Sequence, residues 1–335
     1  MSYITLEHGA GGKLSHELLK SIFVREYGGK SLAKAGDKAV LSIGGSRIAF
    51  TTDAFVMSPR VVPGCSIGKL CITGTINDLL TCGARPLFIS ASFIIEEGFP
   101  IEELSSISTD LAGAAKASGI EIVTGDTKVV QKDRADGVYV VTSGIGEVLK
   151  DVDVSGSNAR AGDDVIVTGE LGCHGVAVML ARGEFKIAAK ANSDCNALTS
   201  LVLPLLRRWK RSIHALRDPT RGGISTTLCE IAIESNVGIE IDESMLPISN
   251  STRAACELLG IDPLFMANEG VMAIVADHVF SERIVRMLRR KRNGENSRII
   301  GNVVANHKGK VKMKTKIGGE RYLELLRGMS LPRIC

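Results

Sequence analysis

The sequence predicts two mixed units in tandem, an α/β unit followed by an α+β unit, with a short tail behind them. Three observations carry this. At 335 residues the chain exceeds what one ordinary hydrophobic core organises. Strand-like and helix-like segments alternate up to about residue 150, a polar, small-residue stretch from Asp151 to Gly162 interrupts them, and the alternation then restarts. After the last strand-like segment, Gly318-Gly319 loosens the chain before its end. The expected division is 1–155, 156–317 and a tail of 318–335.

In the first unit, the polar glycine-rich stretch Leu6-Glu-His-Gly-Ala-Gly-Gly-Lys-Leu14 precedes an amphipathic helix, Ser15 to Glu26. Such a stretch serves equally as a turn and cap or as a lid whose amides wrap an anion. Strands Ala39 to Ile43 and Arg47 to Thr52 are joined by the hairpin glycines Gly44-Gly45, and Asp53 ends the second. A helix from Ser66 to Cys82 carries Asn77-Asp78 in its last turns, where an acid opposes the helix dipole and needs a compensating partner, most simply a cation. Strand Leu87 to Ile95, helix Ile101 to Ser118, strand Ile120 to Thr124 running into Gly125-Asp126-Thr127-Lys128, and strand Val138 to Ile145 complete the unit. The apolar content of its strands exceeds what one sheet face needs, which predicts pairing with a second copy.

The second unit begins with strand Asp164 to Thr168 and helix Cys173 to Arg182. A helix follows from Ala197 to Lys210, and the turn Arg217-Asp-Pro-Thr-Arg-Gly-Gly223 opens another running to Ser235. Short elements lead to Ala267-Asn-Glu-Gly270, before strand Val271 to Ala276, helix Ser281 to Arg290, and strands Arg298 to Val304 and Lys310 to Lys316. The tail is expected to form a short helix from Glu320 to Met329.

Composition excludes several function classes. Aromatic residues make up 4% of the chain, too few for a base-stacking platform, and the net charge of +4 is mild. The one dense basic run, Arg286 to Arg292, closes a helix, where cations meet the C-terminal dipole in solvent. No nucleic-acid partner is expected. Nor is a membrane, since no signal pattern or long apolar span is present, which makes the cytoplasm the expected compartment. The eight cysteines form no C-x-x-C pair, and Cys71, Cys82, Cys229 and Cys256 sit in apolar helical surroundings, as buried small hydrophobes do.

Neither a Walker A loop nor a dinucleotide fingerprint occurs: Gly64-Cys-Ser-Ile-Gly68-Lys69-Leu70 has the wrong spacing. Acids instead mark strand ends, helix ends and glycine turns: Asp37, Asp53, Asp78, Asp126 and Asp218. Each alone is as well explained as a turn former or cap. Together, clustered carboxylates with few histidines suit a hard cation, and magnesium held this way normally carries phosphates. The six histidines include five without shared spacing, His16, His174, His214, His278 and His307, which read as surface or satisfied core residues.

The chain ends in Pro332-Arg333-Ile334-Cys335. A terminal cysteine is either incidental or a nucleophile carried to a site. From Gly318 the tail would reach roughly 50 Å at about 3.3 Å per residue.

The motifs His8-Gly-Ala-Gly-Gly12, Thr52-Asp-Ala-Phe-Val56, Ile67-Gly-Lys-Leu70, Gly74-Thr-Ile-Asn-Asp78, Gly125-Asp-Thr-Lys-Val-Val130, Arg217-Asp-Pro-Thr-Arg-Gly-Gly223, Glu257-Leu-Leu-Gly-Ile-Asp-Pro-Leu264, Ala267-Asn-Glu-Gly270 and Pro-Arg-Ile-Cys335 run in order through the whole chain. Together they resemble the HypE family of hydrogenase maturation proteins, and more distantly the aminoimidazole ribonucleotide synthetase and selenophosphate synthetase superfamily. The resemblance implies a two-domain aminoimidazole ribonucleotide synthetase-like (PurM-like) fold, with N-terminal domains pairing in a homodimeric β-barrel and ATP between domains. It implies magnesium on Asp37, Asp78 and Asp218, with nucleotide contacts from Asp53, Asn77, Asp126 and Thr127. His8, Gly11, Gly12 and Lys13 would close over the phosphates. Relatives often carry two adjacent acids where this chain has Asp37-Lys38.

The implied reaction is ATP-dependent dehydration of a carbamoyl group on Cys335 to a thiocyanate, the source of cyanide ligands in nickel-iron hydrogenase. Lys128 would steer the carbamoyl oxygen or γ-phosphate, and Glu269, in a glycine-bounded turn before an apolar strand, would be the base. The carbamoyltransferase HypF is the implied donor and a HypC-HypD complex the implied acceptor. Two other readings stay open on residues alone. One is a synthetase phosphorylating a free small substrate, which leaves Cys335 unused. The other is a non-enzymatic tail that docks another assembly factor, which a measurement of ATP turnover would discriminate.

Overall fold

The computed structural model describes residues 3–9, 13–28, 38–183 and 191–326. The N-terminal stretch is helical through α1 (Lys13–Leu18), a π-helical turn (Leu19–Val24) and α2 (Arg25–Tyr27). The first sheet contains β1 (Lys38–Ile43) and β2 (Ser46–Phe55), paired antiparallel as a hairpin. A two-stranded ribbon, β3 (Val61–Val62) with β4 (Cys65–Ser66), leads into α3 (Ile67–Thr81), capped where Ser66 Oγ accepts from Lys69 N at 3.3 Å. Then come β5 (Ala84–Glu96), α4 (Ile101–Ser118), β6 (Glu121–Thr124), β7 (Thr127–Val130) and β8 (Val138–Val148). The strand order is β1-β2-β8-β5-β6, with β7 also paired to β5.

The second sheet is built from β9 (Asp163–Val167), β10 (Ile213–Arg217), β11 (Gly238–Asp242), β12 (Ala273–Asp277), β13 (Arg298–Val304), β14 (Val311–Lys314) and β15 (Glu320–Leu323), ordered β10-β12-β9-β13-β11-β14-β15. Five helices accompany it: α5 (Cys173–Ala181), α6 (Thr199–Trp209), α7 (Gly223–Ser235), α8 (Asn250–Leu259) and α9 (His278–Leu288). The α/β and α+β expectation holds. Strand β11 and helix α8 were not assigned from the sequence; β11 is only five residues long and borrows its stability from β13 and β14 on either side.

The expected helix from Glu320 to Met329 does not form over its described part. Residues 320–323 are strand β15 instead, antiparallel to β14 across a turn in which Gly318 has φ +87° and Gly318 N donates to Thr315 O at 2.9 Å. Pairing with an existing strand outweighs the weak helix propensity of so short a segment. The chain stays anchored beyond it, for Ser225 Oγ donates to Glu324 O at 3.0 Å and Leu326 N to Thr226 Oγ1 at 3.3 Å.

Helix α3 is buried nearly all round, and its enclosed polar side chains Thr75, Asn77 and Asp78 all find partners. It packs on β2, β5, β8 and α4, and on its other flank against β10 and α6 of the second unit. The main hydrophobic core is therefore continuous from Ile72 and Leu80 to Leu201, Met272 and Ile284. The face of the first sheet away from α3 is bare: Phe50, Ile145 and Phe88 are direct cross-strand partners on β2, β8 and β5, each about 40% exposed. Among the described residues, no helix is long and apolar enough to cross a membrane.

Candidate active site

A polar cavity of about 310 Å³ lies where the end of β2, the C-terminal half of α3 and the turn before α7 converge. Asp53, Asp78, Asp218 and Glu269 all line it, and so does His8 from the N-terminal segment. Four acids chosen from separate parts of the sequence thus meet around one space. The turn that delivers Asp218 needs its glycines: Gly222 and Gly223 have φ of +71° and +58°, and a Cβ at Gly222 would lie 2.2 Å from Thr226 Oγ1.

Asp78 is buried, accepts from Thr51 Oγ1 at 2.9 Å and faces Lys38 Nζ at 3.7 Å. The cation required by an acid late in a helix is thus supplied within the chain. Burial acts to lower the Lys38 pKa, but the carboxylates of Asp78 and Asp218 outweigh it and hold the ammonium above its ordinary range. Lys38 was not singled out from the sequence; its partner lies forty residues away, and only its place beside Asp37 hinted at it.

Glu269 is 5% exposed, and its Oε2 lies 4.0 Å from where a side chain on Gly74 would begin. Burial first, then Cys195, Asp218, Asp194 and Asp53, push its carboxyl well above the usual carboxylate range. An acid so placed holds a proton more tightly than an exposed one, which is what a general base requires. Asn77, expected to touch nucleotide, is used otherwise: its Nδ2 donates to Asn196 O at 3.1 Å and Glu269 O at 3.3 Å, while its Oδ1 accepts from Leu198 N at 2.9 Å. It is a buried strut between α3 and the second unit. Neighbours on a helix diverge by about 100°, so Asp78 can face the cavity only if Asn77 faces elsewhere.

Family models for AIR synthase related proteins match both halves, the N-terminal domain over residues 35–148 and the C-terminal domain over 160–314. Carbamoyl dehydratase HypE of Cupriavidus necator is 41% identical over 99% of this chain and 95% of its own length. The chain belongs to the HypE family. Its architecture agrees, for a solved HypE-HypF complex matches at TM-score 0.87 and 40% identity, covering 92% of this chain and 99% of that one. HypE solved in complex with ATP matches at TM-score 0.83 and 38% identity, covering 99% and 100%.

Not every expected HypE site residue meets in the cavity. Asp126, Thr127 and Lys128 lie at the far side of the first sheet, where Lys128 Nζ pairs with Asp126 Oδ2 at 3.1 Å and both are well exposed. Strands β8 and β5 stand between β2 and β7, so about 14 Å of sheet separates this pair from Asp53 within one chain. Lys128 first, then Thr127 N, hold the Asp126 carboxyl below its ordinary value. Gly11, Gly12, Asp37 and Cys335 lie outside the described residues, as does the Lys13 side chain. His8 Nδ1 accepts from Thr5 N at 3.1 Å, which fixes the ring at the cavity edge.

The described cysteines are all free, and burial first of all pushes the thiols of Cys71 and Cys229 up to about 12 and those of Cys82 and Cys256 to about 11. These four are inert structural thiols, as expected.

Proposed function

We propose that this chain is an ATP-dependent carbamoyl dehydratase that converts an S-carbamoyl group on Cys335 into a thiocyanate, for the cyanide ligands of nickel-iron hydrogenase. The observation that carries this is where the second sheet releases the chain. Leu326 packs against Gly222, its Cβ 3.3 Å from where a side chain there would begin, and the adjoining Thr220, Arg221 and Thr227 line the acidic cavity. Nine residues follow, with a reach of about 30 Å. Cys335 can therefore enter the cavity from its rim, on a carrier shorter than the whole of 318–335.

ATP is the co-substrate, as the solved HypE-ATP complex supports. Magnesium would come with the nucleotide. Among the described residues no three His, Cys, Asp or Glu side chains already form a metal site, but magnesium characteristically needs only one or two carboxylates plus phosphate oxygens. Asp78 and Asp218 fit that demand, Asp37 would join them as the family resemblance implies, and Asp53 would face the nucleotide. The metal would neutralise charge on the transferring phosphoryl group.

In the reaction the carbamoyl oxygen attacks the γ-phosphorus and ADP leaves. The nitrogen then loses its two protons as the carbon-oxygen bond breaks, one of them to the departing phosphate, giving thiocyanate and phosphate. Glu269 takes the other proton from nitrogen, and its desolvation suits that task. His8, Gly11, Gly12 and Lys13 close over the phosphates.

Residues 1–155 bind ATP and form the dimer; 156 onward closes the cavity and bears the carrier. The bare apolar row Phe50, Ile145 and Phe88 supports pairing of the first sheets, and a paired copy could present its Asp126-Thr127-Lys128 edge to this chain's cavity. HypF is the partner that donates the carbamoyl group, a reading supported by the solved HypE-HypF complex, and a HypC-HypD complex would receive the cyano group, as the family resemblance implies. The test is phosphate release: carbamoylated protein with magnesium and ATP should release one phosphate per chain, and Cys335→Ala protein none. Equal release from both would overturn the proposal.

A further inference from the structure

The loop that carries Glu269 is held by a second acid, the half-buried Asp194, which sequence reasoning passed over. A single oxygen, Asp194 Oδ2, accepts from Asn268 Nδ2 at 2.9 Å, Glu269 N at 3.2 Å and Gly270 N at 2.9 Å. It therefore binds the amide on each side of the Glu269 α-carbon. From the other direction Asn77 Nδ2 and Asn196 N both donate to Glu269 O, at 3.3 Å each. Every backbone polar group next to the Glu269 side chain is thus fixed.

The holder is itself held. Ser193 Oγ accepts from Cys195 N at 3.0 Å and pairs with buried His174 at 2.8 Å, and Ser193 N donates to Pro63 O at 2.8 Å in the first unit. The approach is so close that a Cβ on Gly270 would lie 1.8 Å from Asp194 O, so only glycine fits after Glu269. Enclosing a carboxylate oxygen is costly, and among the described residues Asp194 Oδ1 has no hydrogen-bond partner. An apolar residue could fill this space at lower cost. What the carboxylate adds is a charge-assisted acceptor strong enough to gather three donors from one loop.

We propose that Asp194 is the positioning residue for Glu269: by clamping Asn268, Glu269 and Gly270, it aims the Glu269 carboxylate at the carbamoyl nitrogen. The inference rests on the reading of Glu269 as the base. Displacing a reacting group by about 1 Å can cost about 10²-fold in rate, without any change in nucleotide binding.

The experiment is a double-mutant cycle on the full-length carbamoylated dimer, following single-turnover dehydration and, separately, ATP affinity. Asp194→Ala should slow dehydration by about 10²-fold and leave ATP affinity unchanged. Asp194→Asn, which keeps an acceptor oxygen, should recover most of the rate. In a Glu269→Gln background, Asp194→Ala should cause no further loss. The same fractional loss in both backgrounds, or a parallel fall in ATP affinity, would reduce Asp194 to a structural residue and overturn the inference. If Asp194→Ala does not fold, Asp194→Ser is run through the same cycle with the same criteria. Should Glu269→Gln alone leave dehydration unchanged, the base assignment itself fails, a result distinct from a Glu269 effect that does not couple to Asp194.

Discussion

Lys38 and Asp78 form an ion pair in the cavity floor, Nζ to Oδ1 3.7 Å, with side chains only 17% and 11% exposed. Asp218 adds to the field on the same ammonium. Lys38→Met should leave Asp78 without its internal counter-charge and lower stability by about 1–3 kcal/mol in metal-free buffer. Magnesium should then raise the melting temperature of the variant more than that of the wild type, because the ion replaces the lost ammonium. Thermal melts across a magnesium titration test this; parallel responses would show that Lys38 does not stand in for a cation.

His174 gives a pH prediction with a definite sign. Burial lowers its pKa from 6.5 to about 4, so between those values the unfolded chain takes up a proton that the folded chain refuses. Its contribution is complete above pH 6.5 and declines as pH falls toward 4, by up to about 1.4 kcal/mol per pH unit. Urea unfolding at pH 4.5 and 6.5 should show this difference, and His174→Gln should flatten it. An undiminished difference in the variant would assign the acid sensitivity elsewhere.

The row formed by Phe50, Ile145 and Phe88 crosses three adjacent strands on the open face of the first sheet. Covering each such side chain is worth about 1–2 kcal/mol at partial burial. Ile145→Glu should convert the proposed dimer to a monomer in sedimentation velocity and leave the circular dichroism spectrum intact. A wild type that sediments as a monomer at every concentration would remove the proposed dimer.

If a partner's Lys128 completes the cavity, two inactive variants can rescue each other. Lys128→Met and Glu269→Gln homodimers should both be inactive, whereas mixed dimers contain one site with both native residues. Co-expressed chains that assort freely should regain about a quarter of wild-type activity. No recovery, with mixed dimers verified by differential tags, would place both residues' action within one chain.

The sequence was most legible where chemistry follows local form. Asp53, Asp78 and Asp218 stand at a strand end, a helix end and a glycine turn, and all three reach the cavity. What stayed hidden depends on long-range assembly. Lys38 matters only because β1 starts beside α3, and Asp194 because a chain segment without periodicity meets the Asn268–Gly270 loop 74 to 76 residues later. Asp126 follows a glycine much as Asp218 precedes a glycine turn, and Lys128 stands beside it in β7, yet the order β2-β8-β5 places them far from Asp53, and strand order is not written in the alternation of apolar residues. The final strand was misread because its stability comes from β14 rather than from its own four residues.

Intact mass spectrometry of the carbamoylated chain, before and after magnesium and ATP, tests the dehydratase reading most directly. The adduct should lose one water, and the loss should map to the C-terminal peptide that ends in Cys335. Neither the adduct nor the loss should occur in Cys335→Ala protein that still binds ATP. An adduct that forms and loses water in that variant would contradict the role of the terminal cysteine.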